Sequence, residues 1–370
     1  MRILLTGGGT MGHLTPMVAV IESIRKIADE YFNEPVEFML ISSDNEFIDA
    51  VIKETQIPYK IIITGKLRRY GSIQNFIDIF RIPIGFIQSL YYVFFYMPDV
   101  IFSKGGSVSL PVVLAGWIFR IPIVIHESDA VAGLSNRIMS RFAKKIGVSF
   151  EEAEKYFNPK KIVFTGNPIR GLITRGDIEK ARKIFSLGED KPVILIMGGS
   201  QGSRNINNLI LKILPDLLKK YQIVHQCGIN NYEEIKKKIE KVNIPNLNNY
   251  HLFPFFEESI ADAYAVADLI VSRAGANTIA EIMAVGKPSI LIPLASAASD
   301  HQTKNAFIIA KTGAAVLLSE NNLTSRLLLN DINNLFNNHL KMMEMTRAAR
   351  QQSHPEAARK IAEEIIKLGM

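Results

Sequence analysis

A histidine follows a run of glycines near the start of the chain, in Leu4-Leu5-Thr6-Gly7-Gly8-Gly9-Thr10-Met11-Gly12-His13-Leu14-Thr15-Pro16. An apolar strand pattern leads into the run and a helical pattern leaves it. Glycines let backbone N–H groups approach an anion closely, and a helix N-terminus adds partial positive charge. The combination suits a phosphate, and His13 stands where a base could take a proton from a substrate hydroxyl. A tight strand-to-helix turn with a capping histidine is the plainer alternative. The run ends Gly12-His13-Leu14, without the Gly-Lys-Ser/Thr of a Walker loop. Asp44 follows the second apolar run roughly 30 residues on, not the roughly 20 of a dinucleotide fingerprint, which argues against NAD.

Further polar or glycine-rich segments follow apolar runs in the same way. Phe102-Ser103-Lys104-Gly105-Gly106-Ser107 is a second glycine turn, and His126-Glu127-Ser128-Asp129 ends another strand pattern in polar residues. In the second half, Gly198-Gly199-Ser200-Gln201-Gly202 follows Val193–Met197. Ser272-Arg273-Ala274-Gly275-Ala276-Asn277-Thr278-Ile279-Ala280-Glu281 leaves a strand for a helix, and its small residues leave room for a ligand. A loop from Pro293 to Asn305 carries Asp300-His301-Gln302 into another helix. In open α/β sheets ligands bind beyond the carboxyl ends of the strands, where all of these segments fall.

The elements that position them alternate. Strands are expected at 2–6, 36–41, 60–63, 99–102, 122–126, 145–148 and 162–164. A second series begins at 193–197 and continues at 222–225, 250–253, 269–272 and 289–292. The fold class is therefore α/β, with two doubly wound, Rossmann-like domains expected to face each other across a cleft. The domains are read as 1–165 and 166–354, with a final helix at about 355–370 packing back on the first. Cys227 is the only cysteine of 370 residues, so no intramolecular disulfide or cysteine-based metal site is possible, and a reducing compartment is expected. No signal-peptide pattern opens the chain, which is read as cytoplasmic. The net charge of +7 points to an anionic partner, yet no zinc-finger, RNA-recognition or helix-turn-helix pattern suggests nucleic acid. Lys66, Arg68, Arg69 and Arg81 flank an apolar run from Ile82 to Phe102 that Gln88, Ser89, Pro98 and Asp99 interrupt. It is read as a helix and then a core strand, with an exposed part suited to an anionic membrane surface.

The order and spacing of these motifs over essentially the whole chain resemble the MurG-type glycosyltransferases, which have the two-domain GT-B architecture. The motifs are Gly7 to Pro16, Phe102 to Ser107, His126 to Asn136, Gly166 to Arg170, Gly198 to Gly202, Arg273 to Glu281 and Asp300 to Asn305. The resemblance implies transfer of N-acetylglucosamine from UDP-N-acetylglucosamine to undecaprenyl-linked lipid I, giving lipid II for peptidoglycan, at the cytoplasmic face of the membrane. It implies His13 as general base. Thr10, Met11, Gly12, Asp129, Arg170, Ser200, Gly275, Ala276, Asn277, Thr278, Ile279, Ala280, Glu281, His301 and Gln302 would serve the donor, and Gly8, Gly9, Gly105, Gly106 and Ser107 the acceptor. Two residues depart from the family pattern. Met11 replaces a glycine of the usual Gly-Thr-Gly-Gly-His and narrows the loop. Asp129 stands where asparagine is common and, when ionised, donates no hydrogen bond. No cofactor is expected, and no Asp-x-Asp is present to hold a metal under the diphosphate. The developing charge on UDP would then fall to Arg170, the backbone around Ser200 and the helix start after Ala274. Related GT-B enzymes that glycosylate diacylglycerol are the alternative, but their acceptor carries no pyrophosphate to occupy two glycine turns.

Overall fold

The computed structural model describes residues 1–8, 11–31, 35–44, 48–65, 73–199, 201–297 and 300–370, with backbone alone for 50 and 73–80. Two compact units result, one formed by Met1–Arg170 with His354–Met370 and the other by Gly171–Ser353. Residues 166–170 thus belong to the first unit.

The first unit is built on seven strands: β1 (Arg2–Gly7), β2 (Glu37–Ser42), β3 (Tyr59–Ile61), β4 (Val100–Gly105), β5 (Ile123–Glu127), β6 (Lys145–Val148) and β7 (Ile162–Phe164). They pair in parallel in the order β3-β2-β1-β4-β5-β6-β7. The second unit carries β8 (Val193–Met197), β9 (Gln222–Gln226), β10 (Tyr250–Phe253), β11 (Leu269–Ser272), β12 (Ser289–Leu291) and β13 (Ala315–Leu317). Their order is β10-β9-β8-β11-β12-β13, again all parallel. Each sheet grows outward in both directions from its first strand, so the strand order reverses between β1 and β4 and between β8 and β11. These reversals are where helices leave on opposite faces and a crevice opens. The sequence reading located the strands of both series except β13. That three-residue edge strand lies within the apolar run Ala314 to Leu318, which the expected strands left out.

Burial on both faces explains the near-continuous apolar runs of the central strands. In β1, Ile3 and Leu5 face one layer of helices, and Leu4 faces the other. The helix Met11–Tyr31 buries Leu14, Met17, Val18, Ile21 and Ile24, a three-to-four-residue stripe that covers β1. The helix Ala357–Gly369 shows the same spacing in Ile361, Ile365 and Ile366, and these join Ile3, Leu5 and Val100 in one core. The run from Ile82 divides as its composition suggests. The helix Ile73–Tyr96 ends before Met97, whose φ of 45° turns the chain, and β4 starts at Val100. Asp99 marks the break by accepting a 2.6 Å hydrogen bond from Arg2 N. No helix among the described residues is long and apolar enough to cross a membrane.

Because Ile365 is fully buried against β1 and β4, Ile365→Ala should destabilise the first unit by about 2–5 kcal/mol. Denaturant unfolding followed by circular dichroism checks this. An unchanged transition would show that the last helix contributes nothing to that core.

Candidate active site

At the β1/β4 reversal two turns approach so closely that side chains are excluded. A Cβ on Gly8 would lie 2.6 Å from Ser42 Oγ, and one on Gly106 would lie 2.9 Å from the Gly8 carbonyl oxygen. Gly105 and Gly106 have φ of 97° and 89°, a backbone that residues with a side chain rarely adopt. Ser42 Oγ donates to the Gly7 carbonyl at 2.8 Å, which fixes the end of β1. Met11, Gly12 and His13 form the first turn of the following helix, where backbone N–H groups lack intrahelical partners. His13 is half-buried and packs near Gly106, whose Cβ position is 3.6 Å from His13 Cε1. Desolvation, followed by the nearby Lys104 cation, lowers the His13 pKa below its ordinary 6.5. A neutral imidazole beside a crevice can accept a proton. Ser107 is partly exposed in the same turn.

Beneath these turns lies a polar cluster that sequence reasoning missed. Lys104 is only 2% exposed. Its Nζ donates to His126 Nδ1 and Ser128 Oγ, each at 2.5 Å, and to Asn167 Oδ1 at 3.2 Å. Since His126 accepts at Nδ1, its proton sits on Nε2, which lies 3.1 Å from the Gly166 carbonyl and 3.2 Å from Thr165 Oγ1. Burial, reinforced by Lys104, holds this imidazole well below the ordinary histidine range and hence neutral. Glu127 is committed elsewhere. Its carboxylate accepts from the backbone N–H of Asp129 and Gly133 and from Asn136 Nδ2, at 3.1, 2.9 and 2.9 Å. It therefore shapes the turn that carries the partly exposed Asp129. Arg170 follows β7, with Nη1 3.6 Å from Glu54 Oε2.

The second unit gathers its candidate residues at the ends of β8, β11 and β12. Gly202 has φ of 74°, and a Cβ there would lie 1.9 Å from the Cys227 carbonyl oxygen, so glycine is required. Ser203 then caps the helix Arg204–Leu217, its Oγ accepting from Ile206 N at 3.3 Å. Beyond β11, Gly275 stands at the N-cap of the helix Ala276–Val285 and offers no side-chain acceptor to its N–H groups. A Cβ on Gly275 or on Gly199 would meet nothing within 4 Å, so both backbones border open space. Asn277, Thr278, Ala280 and Glu281 are partly exposed, whereas Ala276 and Ile279 turn their side chains inward. Glu281 is fixed by the buried Tyr264 hydroxyl, which donates to Oε2 at 2.8 Å. Gln302 Oε1 accepts from Leu294 N at 2.9 Å, and His301 opens its helix. Gly9, Thr10 and Ser200 lie outside the described residues.

Arg273 holds this unit's loops together. Its Nη1 donates to the carbonyls of Ile292 and Pro293, at 3.1 and 3.3 Å. Its Nη2 reaches Ser203 Oγ at 2.7 Å and Glu320 Oε1 at 2.5 Å. Glu320 also accepts from Asn205 Nδ2 and Ala295 N, at 2.8 and 3.0 Å. One ion pair thus ties the β8, β11 and β12 turns together. No group of three or more histidine, cysteine or acidic residues suited to a metal occurs among the described residues.

Comparison with known proteins matches this geometry to a family. Residues 3–148 match the glycosyltransferase family 28 N-terminal domain, and residues 193–362 match the family 28 C-terminal domain. The chain is 40% identical over 350 residues to a Clostridium perfringens UDP-N-acetylglucosamine–N-acetylmuramyl-(pentapeptide) pyrophosphoryl-undecaprenol N-acetylglucosamine transferase, covering 94% of each chain. The chain is a family 28 glycosyltransferase of the MurG type. The crystal structure of Acinetobacter baumannii MurG superposes with a TM-score of 0.73 at 28% identity, covering 99% of this chain and 100% of that one. A Neisseria meningitidis UDP-GlcNAc 2-epimerase reaches 0.71 at only 15% identity, over 99% and 100% of the two chains, and shares the fold alone. Within the MurG-type pattern, Lys104 and Glu320 are the residues the sequence concealed. Lys104 meets Asn167 across 63 positions and Arg273 meets Glu320 across 47, and neither pair has a local motif.

The buried Arg273–Glu320 pair makes the second unit acid-sensitive. Burial alone would raise the Glu320 pKa, but the hydrogen bonds from Arg273, Ala295 and Asn205 hold it below its ordinary 4.5. A depressed carboxylate contributes stability that is present above the ordinary carboxylate range and is lost as pH falls through the folded pKa. Arg273→Met should cost about 3–5 kcal/mol at neutral pH by leaving the carboxylate uncompensated. Glu320→Gln should remove part of the acid-side slope. Calorimetric unfolding as a function of pH checks both, and an unaltered slope in Glu320→Gln would dismiss the assignment.

Proposed function

We propose that this chain transfers N-acetylglucosamine from UDP-N-acetylglucosamine to the 4-hydroxyl of the muramoyl sugar of undecaprenyl-linked lipid I, forming lipid II for peptidoglycan. One observation carries the chemistry. His13, whose imidazole burial and the Lys104 charge bias toward the neutral form, sits in the first turn of the Met11–Tyr31 helix at the β1/β4 reversal, beside the Gly8 and Gly106 turns. His13 takes the proton of the attacking hydroxyl as its oxygen bonds to the anomeric carbon, and the carbon–oxygen bond to UDP breaks on the opposite face. An α-linked donor gives a β-linked product with inversion and no covalent enzyme intermediate. The Gly8–Gly9 and Gly105–Ser107 turns receive the acceptor pyrophosphate.

The residues read as serving the donor are Ser200, Gly275 to Glu281, His301 and Gln302 in the second unit, and Thr10, Met11, Gly12, Asp129 and Arg170 in the first. Open space beside Gly275 and Gly199 supports a diphosphate at the start of the Ala276–Val285 helix, where backbone N–H groups offset the charge growing on UDP. A well-placed donor of this kind contributes about 3 kcal/mol to the transition state. Glu281, oriented by Tyr264, accepts from the ribose hydroxyls, while His301 and Gln302 hold the sugar. A diacylglycerol acceptor is not favoured, because the relatives are named for a pyrophosphoryl-undecaprenol acceptor.

Access to an acceptor with a long hydrocarbon chain calls for peripheral binding to the cytoplasmic face of the membrane. Ile84, Ile87, Tyr91, Phe94 and Phe95 are exposed on one helix, and Trp117 and Ile118 are exposed on the helix packed against it. Arg81 and Arg120 are exposed on the same elements or just beyond them. Lys66, Arg68 and Arg69 lie outside the described residues. Aromatic and aliphatic side chains beside cations suit an anionic lipid interface.

Transfer from UDP-N-acetylglucosamine to lipid I and, separately, to diacylglycerol tests the reaction. Transfer to diacylglycerol alone would replace the proposal. His13→Ala should lower turnover about 10²–10⁴-fold with little change in donor affinity. Glu281→Ala should weaken the donor, measured by calorimetry, without unfolding the protein. Full turnover in His13→Ala would move the base elsewhere. Cosedimentation with vesicles should show binding to anionic lipid that weakens with salt, since screening acts over roughly 8–10 Å. Equal binding to neutral vesicles would contradict the electrostatic part.

A further inference from the structure

The ammonium of Lys104 is buried at the end of β4. A lysine stem and charge are costly to bury, and an apolar side chain would fill a strand end between helices more cheaply. Yet all three Nζ protons are matched, by His126 Nδ1, Ser128 Oγ and Asn167 Oδ1. A group with three donors and no acceptor is thereby satisfied by three neutral atoms. The acceptors come from the turn after β5 and the segment after β7, so the ammonium ties both to β4. The same residue flanks the catalytic turn. A Cβ on Gly7 would lie 3.3 Å from Lys104 Cβ and 3.7 Å from His13 Cβ, so both side chains begin beside the same glycine.

We propose that Lys104 is a positioning residue for the transfer, holding the 126–129 and 165–167 turns and supplying the buried positive charge that keeps His13 unprotonated and able to accept the hydroxyl proton. The proposal rests on His13 being the base. The charged groups acting on His13 are Lys104 from β4 and Asp129 from the turn after β5, and they oppose one another. Those acting on Lys104 are Glu127 and Asp129, with neutral His126 in direct contact. Burial outweighs the pull of the Glu127 and Asp129 carboxylates and brings the Lys104 pKa down to about 7. The ammonium is therefore present on the acid side of neutrality, where His13 would otherwise take up a proton. The consequence is a base that works at lower pH than an ordinary histidine. Asp129 belongs to the same arrangement, since its negative charge helps keep the buried ammonium ionised.

The test is a titration of His13 in the full-length protein carrying ¹³C-labelled histidine, read by nuclear magnetic resonance without substrate. In Lys104→Met the His13 midpoint should rise by about half a pH unit or more, and the acid limb of kcat/KM for transfer to lipid I should move with it. Lys104→Arg, which keeps the charge, should leave the midpoint near its original value. A purely structural lysine would lower the melting temperature and the rate in Lys104→Met while leaving both midpoints in place, and that result overturns the proposal. If Lys104→Met does not fold, Asn167→Ala removes one acceptor and disfavours the ammonium, so a smaller rise in the same direction is expected. An unmoved midpoint in that folded variant also overturns it. An unmoved midpoint with His13→Ala inactive rejects the role of Lys104 alone. Full activity of His13→Ala rejects the base assignment on which both readings rest.

Discussion

The approach of the β1 and β4 turns is the constraint on which the first unit's chemistry depends. Two parallel strands diverge at their carboxyl ends only if the chain beyond each can bend away at once, and here both bends occur within van der Waals distance. The positions are glycine because the Gly8 carbonyl occupies the space a Gly106 side chain would need, and because Gly105 and Gly106 adopt left-handed backbone conformations. An alanine at Gly106 would carry both steric overlap and an unfavourable φ, and one at Gly105 the unfavourable φ with a tight contact to Asn136. Everything that follows is placed by this contact: the start of the Met11 helix, the imidazole of His13 and the line of Lys104 under the turn.

The second unit solves the corresponding problem with a different device. Its turns are held by one guanidinium, and Arg273 touches the β8, β11 and β12 ends at once. A planar group with five fixed donors can join three loops in a defined geometry, which a lysine could not reproduce. The first unit uses an ammonium with three donors at the related place under its own turns. In both units a buried cation holds the loops together through hydrogen bonds to turns from different strands.

Backbone requirements were the most legible part of the sequence. Glycine pairs after apolar runs marked the strand ends, because few other residues tolerate those conformations, and the polar quartet His126–Asp129 marked another. The alternation of runs marked out both sheets. Partnerships between distant residues were not legible. Lys104 reads as one more polar residue in a glycine turn until Asn167 is beside it, and Glu320 reads as a surface acid until Arg273 meets it. Strand β13 lay in the apolar run Ala314 to Leu318, directly after the helix His301–Lys311, and was not separated from it. Nor does the sequence show that Glu127 is committed by three hydrogen bonds to the turn that follows it.

The return of residues 357–369 to the first sheet has a consequence for synthesis. The second unit is one continuous stretch, Gly171–Ser353, whereas the first draws Ile361, Ile365 and Ile366 from beyond it. On the ribosome, the strands of the first unit emerge early but wait with part of their apolar face uncovered while the whole second unit is made. At about 5–20 residues per second, that interval lasts roughly 10–40 s. During it, the exposed face around Ile3 and Leu5 is open to chaperones or to association with other nascent chains. The unit that begins first is completed last.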